Sequence, residues 1–273
     1  MTDRYAVFGN PIAHSKSPQI HRAFAEQTGQ DIAYDAIEAP KDGFAPAVRA
    51  FVAGGARGAN VTVPFKLEAF ALADERRLQA ESAGAANCLK FEHGRIVAEN
   101  FDGAGLVNDI ERNLHYPVAD RTVLIVGAGG AARGAVLPLL QRRPARLAVA
   151  NRTADKAREL ATFFARHGQV EAFGLDELGA DAWDLVINAT SAGLHGRGPR
   201  LPASIFHDAS LAYEMVYGKG LTPFLRAARL AGAHRLCDGV GMLVEQAAEA
   251  FAWWRGVRPL TGPVIAALSV PLD

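Results

Sequence analysis

Apolar and polar positions alternate along this chain in two blocks, each reading as a series of strand–helix units. In the first hundred residues, Tyr5–Phe8 is a short apolar run suited to a strand. Ile20 and Phe24 sit four apart and predict a helix from Pro18 to about Thr28. Ile32–Ile37 predicts a second strand, Phe44–Val52 a helix and Gly58–Val63 a third strand. Asn87–Phe91 and Arg95–Glu99 read as paired strands joined at His93-Gly94. From Gly103 onward, Leu106, Val107, Ile110 and Leu114 keep helical spacing.

The second block opens on Thr122–Val126, a continuous apolar strand typical of a parallel sheet covered on both faces. A Gly-rich turn follows, then a helix to about Arg142, which Pro138 should kink. A strand Arg146–Ala150 and a helix Ala154–Arg166 come next, then strands at Asp184–Asn188, Leu211–Tyr213 and Arg235–Leu236. Met242–Trp254 carries Leu243, Ala247, Ala250, Phe251 and Trp254 on one stripe and predicts a helix, with a short one after Pro263. Repeated strand–helix–strand units imply an α/β protein with parallel sheet. Boundaries near Asn100–Asp102 and Asp238 predict a domain over residues 1–101 and another over 102–238. Residues 239–273 would return to complete the first, leaving a cleft between the two.

A length of 273 residues suits two modest domains, and 49% apolar residues supply their cores. Lys plus Arg and Asp plus Glu each number 29, so no basic field invites nucleic acid or an anionic membrane. A charged ligand must then be held by local groups. No apolar run approaches membrane-spanning length and the first residues lack a signal-peptide core, which predicts a cytoplasmic protein. Cys88 and Cys237 stand outside any CxxC pattern and read as buried thiols in a reducing compartment.

The turn Val126-Gly127-Ala128-Gly129-Gly130-Ala131-Ala132 fits GxGxxG/A between a strand and a helix. Gly127 permits the tight turn, and Gly129 lets the backbone approach a pyrophosphate seated on the helix N-terminus. The plainer reading is a tight turn alone; the strand–helix context favours a dinucleotide. The following strand ends in Asn151-Arg152-Thr153, with Lys156 beyond and no carboxylate for a ribose hydroxyl. A guanidinium, a hydroxyl and an ammonium suit a 2′-phosphate, so NADP(H) is preferred to NAD. Thr153 is also positioned to cap the next helix.

A second polar group lies in the first domain. In Asn60-Val61-Thr62-Val63-Pro64-Phe65-Lys66, strand alternation puts Asn60 and Thr62 on one face. Pro64 is suited to open a helix, which puts Lys66 in a first turn where the helix dipole disfavours a cation. Asp102 reads as an N-cap, or as a carboxylate free to pair with Lys66. Asn87 and Gln246 are candidate buried amides. Upstream, Gly9–Pro18 reads GNPIAHSKSP. Ser17-Pro18 has the form of a helix start, and Ser15, Ser17 and nearby N–H groups make an anion site with Lys16 adding positive field. His14 reads as a hydrogen-bonding fixture, and Trp253 and Trp254 as helix packing.

GNPIAHSKSP, NVTVPFK, AANCL, GAGGAARG, NRT, NATSAG, YEMVYGKGLTPFL and DGVGMLVEQAAEAF stand in the order found in shikimate dehydrogenases. The chain resembles that family from Tyr5 to about Phe251. The resemblance implies a substrate-binding α/β domain followed by a Rossmann-type NADP-binding domain. It implies reversible, NADPH-dependent reduction of 3-dehydroshikimate to shikimate on the route to aromatic amino acids. By motif, Ser15, Ser17 and Tyr217 correspond to contacts of the substrate carboxylate. Asn60, Thr62, Asn87 and Gln246 correspond to holders of the ring hydroxyls, and Lys66 and Asp102 to the catalytic pair. Gly127, Gly129, Gly130 and Ala131 match the pyrophosphate turn. Asn151, Arg152, Thr153 and Lys156 match the 2′-phosphate clamp. Thr190 and Ser191 lie where cofactor should pass, and Met215 and Gly239 resemble residues beside the nicotinamide. The family commonly has Thr where this chain has Phe101, which removes a hydroxyl and opens the question of substrate preference. No metal is implied, and the family fits a monomer or homodimer. Three alternatives stay open: a quinate/shikimate dehydrogenase with broader substrate or NAD use, a non-catalytic NADP-binding sensor, and a Rossmann-type reductase for another small acid.

Overall fold

Hydrophobic periodicity of the two kinds noted above produces two compact units in the computed structural model, which describes residues 2–272 apart from the side chains of Leu194 and His195. Unit 1 comprises Met1–Gly105 and Val244–Val264; unit 2 comprises Leu106–Leu243 and Ile265–Asp273. The return of the chain to unit 1 therefore ends at Val264. The segment beyond it joins unit 2, where Leu272 packs on the core and its carbonyl accepts from Arg229.

Unit 1 begins with β1 (Asp3–Gly9), α1 (Ser17–Thr28), β2 (Ile32–Glu38), α2 (Phe44–Ala53) and β3 (Gly58–Val61). It continues with α3 (Lys66–Leu72), β4 (Glu75–Arg76), α4 (Leu78–Ala83), β5 (Cys88–Glu92) and β6 (Arg95–Glu99). The six strands run in the order β2-β1-β3-β5-β6-β4. β1 is parallel to β2 and β3, whereas β5 is antiparallel to both β3 and β6. The β5–β6 hairpin turns at His93-Gly94, both at positive φ (52° and 73°), the backbone a two-residue turn requires. β4 and α4 carry no periodic signal in sequence because each is six residues or shorter.

One face of this sheet is an aromatic core. Phe44 stacks on Phe65 at 4.9 Å, and Phe8 meets Phe44 and Phe51 edge-on. Burying a phenylalanine contributes about 1.5–3 kcal/mol. Phe65 is wholly buried and immediately precedes Lys66, so this core fixes where the lysine leaves the sheet. Pro64 does not open the helix. It lies two residues before α3, after a cis peptide bond, and Phe65 is the cap residue.

α5 (Asp102–Asn108) runs from unit 1 into unit 2 and continues as a π-turn over Asp109–Asn113. Unit 2 then contains β7 (Thr122–Val126), α6 (Gly130–Leu140), β8 (Arg146–Asn151), α7 (Ala154–Phe164), β9 (Glu171–Gly174) and β10 (Leu185–Asn188). β11 (Leu211–Glu214), α8 (Pro223–Leu230) and β12 (Arg235–Cys237) complete its sheet, in the order β12-β11-β10-β7-β8-β9. Every pairing is parallel. That is the doubly wound order, whose crossover beside β7 puts the carboxyl ends of β7 and β10 together. The apolar strands are covered on both faces by separate clusters, one around Ile125, Val149 and Ile187 and the other around Leu124, Ala148 and Val186. β9 and α8 lack the pattern that predicts the other elements. α9 (Val240–Arg255) and α10 (Gly262–Leu268) close the chain.

Candidate active site

Lys66 is the first residue of α3, and its carbonyl accepts from Ala86 N–H at 2.9 Å, tying it to the segment that leads into β5. Its ammonium lies 2.5 Å from Asp102 Oδ2, with the two side chains 30% and 19% exposed. The pair is thus open enough to meet a ligand yet partly shielded from water, where a charge-assisted bond is strongest. Asn87 Nδ2 donates to the other oxygen, Asp102 Oδ1, at 2.8 Å and to Gln246 Oε1 at 3.2 Å. Asn60 Nδ2 donates to the Asn87 carbonyl at 3.3 Å. Five polar side chains from β3, α3, the start of β5, α5 and α9 therefore form one network.

The backbone around Asp102 explains why its carboxylate is available. Asp102 is not the helix cap: Asn100 Oδ1 accepts the Asp102 N–H at 3.0 Å and takes that role. Asn100 is held in turn by Ala85 O and by Glu99 Oε1, which also accepts from Ala80 N–H. Burial raises the Glu99 pKa, while these backbone donors and Arg77 pull it down. Phe101 N–H donates to Asn87 Oδ1 at 2.9 Å, and the Phe101 ring turns edge-on to Trp253. At this position the backbone, not a side-chain hydroxyl, secures Asn87.

The serines sit at the start of α1, which begins one residue earlier than the Ser-Pro pattern suggests. Lys16 is the cap residue and makes no side-chain cap bond; Ser15 Oγ accepts the Ser17 N–H at 3.3 Å. Ser17, freed from capping, is buried beside Tyr34. Tyr34 OH donates to Asn60 Oδ1 at 2.6 Å. Burial drives the Tyr34 phenol well above its ordinary pKa, followed by the Cys88 field, with the Ser17 hydroxyl acting in the opposite sense. Tyr34 was invisible in sequence because a tyrosine in a strand is ordinarily packing. Thr62 lies just past β3, half-exposed, with its methyl against Gly9. No hydrogen bond among the described residues joins Ser15 or Thr62 to the lysine network. His21, one α-helical turn beyond Ser17, stacks on Tyr34 at 4.2 Å, and neither ring nitrogen makes a hydrogen bond among the described residues. Burial pushes its pKa down to about 3, against a smaller pull from Asn60.

In unit 2, Gly127 has φ of 113°, and a Cβ there would lie 3.2 Å from the Ala189 carbonyl carbon, so only glycine fits. Gly129, Gly130 and Ala131 are exposed at the start of α6, and a Cβ on either glycine would meet open space. A side chain there would obstruct only an approaching ligand, and the helix's first N–H groups point outward. Beyond β8, Arg152 and Lys156 are exposed and pair with no carboxylate among the described residues. Thr153 occupies the cap position of α7 without a side-chain cap bond; its carbonyl accepts from Asn151 Nδ2 at 2.9 Å. An open glycine turn beside unneutralised cations fits a 2′-phosphorylated dinucleotide. Past β10, Asn188 Oδ1 accepts from both Thr190 N–H and Thr190 Oγ1, and Ser191 begins a short 3₁₀ turn. Past β11, Met215 is half-buried and Tyr217 is 39% exposed. Gly239 is buried with its Cα against Met215, where a Cβ would lie 2.3 Å from the Met215 carbonyl oxygen.

Family models match three consecutive stretches: the shikimate dehydrogenase substrate binding domain over residues 7–89, shikimate / quinate 5-dehydrogenase over 109–195, and the shikimate 5′-dehydrogenase C-terminal domain over 239–268. The chain is 57% identical over 268 residues to the shikimate dehydrogenase (NADP(+)) of Nitrosospira multiformis, covering 98% of both chains. The chain belongs to the shikimate dehydrogenase family. Among solved structures of similar proteins, an Ael1 enzyme from Pseudomonas putida is 55% identical with a TM-score of 0.96 and full coverage of both chains. A shikimate 5-dehydrogenase from Thermus thermophilus, in complex with NADP(H) and shikimate, is 30% identical with a TM-score of 0.86 over 98% of each.

Proposed function

We propose that this protein catalyses the reversible, NADPH-dependent reduction of 3-dehydroshikimate to shikimate, in the route to aromatic amino acids. The observation that carries the reading is the 2.5 Å Lys66–Asp102 pair held by Asn87 and Gln246. It occurs in a chain whose relatives of more than half identity are named shikimate dehydrogenase (NADP(+)).

The cofactor, when bound, supplies the hydride to the substrate carbonyl carbon. Lys66 Nζ gives the proton that the developing alkoxide requires, and takes it back in the oxidative direction. An ammonium has three N–H donors. Asp102 Oδ2 engages one, which leaves two for the substrate oxygen and its neighbours. Asp102 is prevented from turning away by Asn87 on Oδ1. Asn60 is half-committed: Tyr34 donates to its oxygen and Asn87 O takes one amide hydrogen, leaving one hydrogen for a ring hydroxyl. Thr62, Asn87 and Gln246 complete the hydroxyl contacts. Ser15, Ser17 and Tyr217 hold the carboxylate. Gly127, Gly129, Gly130 and Ala131 cradle the pyrophosphate on the first N–H groups of α6. Asn151, Arg152, Thr153 and Lys156 hold the 2′-phosphate. Thr190, Ser191, Met215 and Gly239 bound the nicotinamide end.

A cytoplasmic location accompanies this reading. It is supported by the free thiols Cys88 and Cys237, and no helix among the described residues is long and apolar enough to cross a membrane.

The test is steady-state kinetics with shikimate and quinate against NADP⁺ and NAD⁺. Shikimate with NADP⁺ is expected to give the highest kcat/KM. Quinate preferred with NAD⁺ would replace this reading with the broader dehydrogenase. Cofactor binding without turnover would indicate a sensor.

A further inference from the structure

Glu214, the last residue of β11, is wholly buried, and among the described residues no lysine or arginine forms an ion pair with it. A lone buried carboxylate is costly unless its oxygens are fully hydrogen-bonded. Here both oxygens are. Asn188 Nδ2 donates to Oε1 at 3.1 Å and to Oε2 at 2.9 Å. Val216 N–H donates to Oε1 at 3.3 Å, and Thr222 Oγ1 donates to Oε2 at 3.0 Å. Burial still raises the Glu214 pKa, with these donors and chiefly Asn188 opposing it.

The donors belong to three separate segments at the carboxyl ends of β10 and β11. Asn188 passes the constraint on, because its Oδ1 holds Thr190 through both N–H and hydroxyl. Val216 lies between Met215 and Tyr217, and its carbonyl accepts the Gly239 N–H at 3.2 Å. Thr222 caps α8 by accepting the Leu225 N–H. We propose that Glu214 is a positioning residue for the cofactor's nicotinamide end, fixing Thr190 and the Met215–Val216 segment as one rigid crest. This rests on the NADP reading above and adds to it a residue that touches no ligand.

A carboxylate is required because every neighbour is a donor. In Glu214→Gln, one position facing Asn188 becomes an NH₂. Either two amide NH₂ groups then face each other, or Asn188 flips and its oxygen leaves Thr190. The disturbance is therefore local to the crest. The glycine turn at Gly127–Ala131 keeps its own backbone bonds, Gly127 N–H to Ala150 O and Arg133 N–H to Gly129 O, and among the described residues the exposed cations Arg152 and Lys156 share no bond with Glu214 or its donors.

The experiment measures binding of NADP⁺ and of 2′,5′-ADP, a fragment lacking the nicotinamide half, to wild type and Glu214→Gln by calorimetry. Affinity for NADP⁺ is expected to fall about 5–10-fold and for 2′,5′-ADP by less than about twofold, with kcat falling about tenfold. Equal weakening of both ligands, or no change in either, would overturn the proposal. If Glu214→Gln does not fold, Thr222→Val decides, with Thr222→Ser as the hydroxyl-retaining control. The same split at about two- to threefold in Thr222→Val alone supports the proposal, and its absence rejects it. A wild type that binds NADP⁺ but never oxidises shikimate would reject the proposed activity and leave the binding split readable.

Discussion

The polar groups of unit 1 and unit 2 are prepared for ligands in opposite ways. Around Lys66 the side chains are bonded to each other: ammonium to carboxylate, carboxylate to amide, amide to amide. Each is oriented before any ligand arrives, and Lys66 keeps two N–H donors and Asn60 one for it. Around Gly129 and Arg152 there is no such network among the described residues. The glycine backbone is open and the cations stand exposed. On the function proposed above, the difference follows from what each is to hold. A neutral ring hydroxyl offers little energy, so its partners must be aligned in advance. A phosphate offers enough charge to orient exposed cations as it binds.

The sharpest way to break this contrast is to remove the proposed proton donor. Lys66→Ala is expected to lower kcat by on the order of 10² or more with modest change in KM for shikimate. Steady-state rates decide it, and a large rise in KM at unchanged kcat would make Lys66 a binding residue instead. On the other side, Arg152→Ala should weaken NADP⁺ about tenfold and leave NAD⁺ unaffected, since on the proposed reading the guanidinium meets only the extra phosphate. Equal loss for both cofactors, measured by calorimetry, would remove the 2′-phosphate assignment. Ser15→Ala and Ser17→Ala should raise KM for shikimate about fivefold each, with smaller effects on kcat. A drop confined to kcat would place these serines in the chemistry rather than in carboxylate binding.

The smallest effect at neutral pH concerns His21, stacked under Tyr34. Its folded pKa of about 3 lies below the ordinary value of 6.5, so the unfolded chain binds the additional proton. The neutral ring's contribution is fully present above about pH 6.5 and is lost as pH falls toward 3, by at most about 1.4 kcal/mol per pH unit. Relative to wild type, His21→Phe should therefore gain stability progressively below pH 6.5 in urea titrations. A constant difference across that range would show that His21 is not the titrating group.

How much of this was legible in the sequence depended on whether a residue acts directly or through another. Lys66 stood out because a helix's first turn disfavours a cation, and Arg152 because a strand end lacked its carboxylate. Tyr34, Asn100 and Glu214 did not stand out. Each is an ordinary residue in or beside a strand, and its role arises only when β-strands distant in sequence are laid together. The caps were misread for a related reason. Ser17, Asp102 and Thr153 occupy helix starts, but in the first two cases a neighbour, Ser15 or Asn100, accepts the backbone N–H. Local propensity predicts that a cap exists nearby; only packing decides which hydroxyl or amide performs it. The strand–helix rhythm put boundaries near residues 101 and 238, whereas the compact units divide after Gly105 and Leu243 and take residues 265–273 into unit 2, divisions that only packing sets.

Trp254 has a bearing on how the chain is made. Its indole N–H donates to Leu89 O, 165 residues earlier, its ring stacks on Tyr5, and Gly58 leaves the room for it. At the pace of translation, about 5–20 residues per second, Leu89 waits roughly 8–33 s on the ribosome before this partner has been synthesised. Meanwhile Thr122–Cys237 emerges with every strand of the second sheet. The half of the molecule that begins first is thus completed late, and a nascent chain arrested before α9 leaves the first sheet's tryptophan seat vacant.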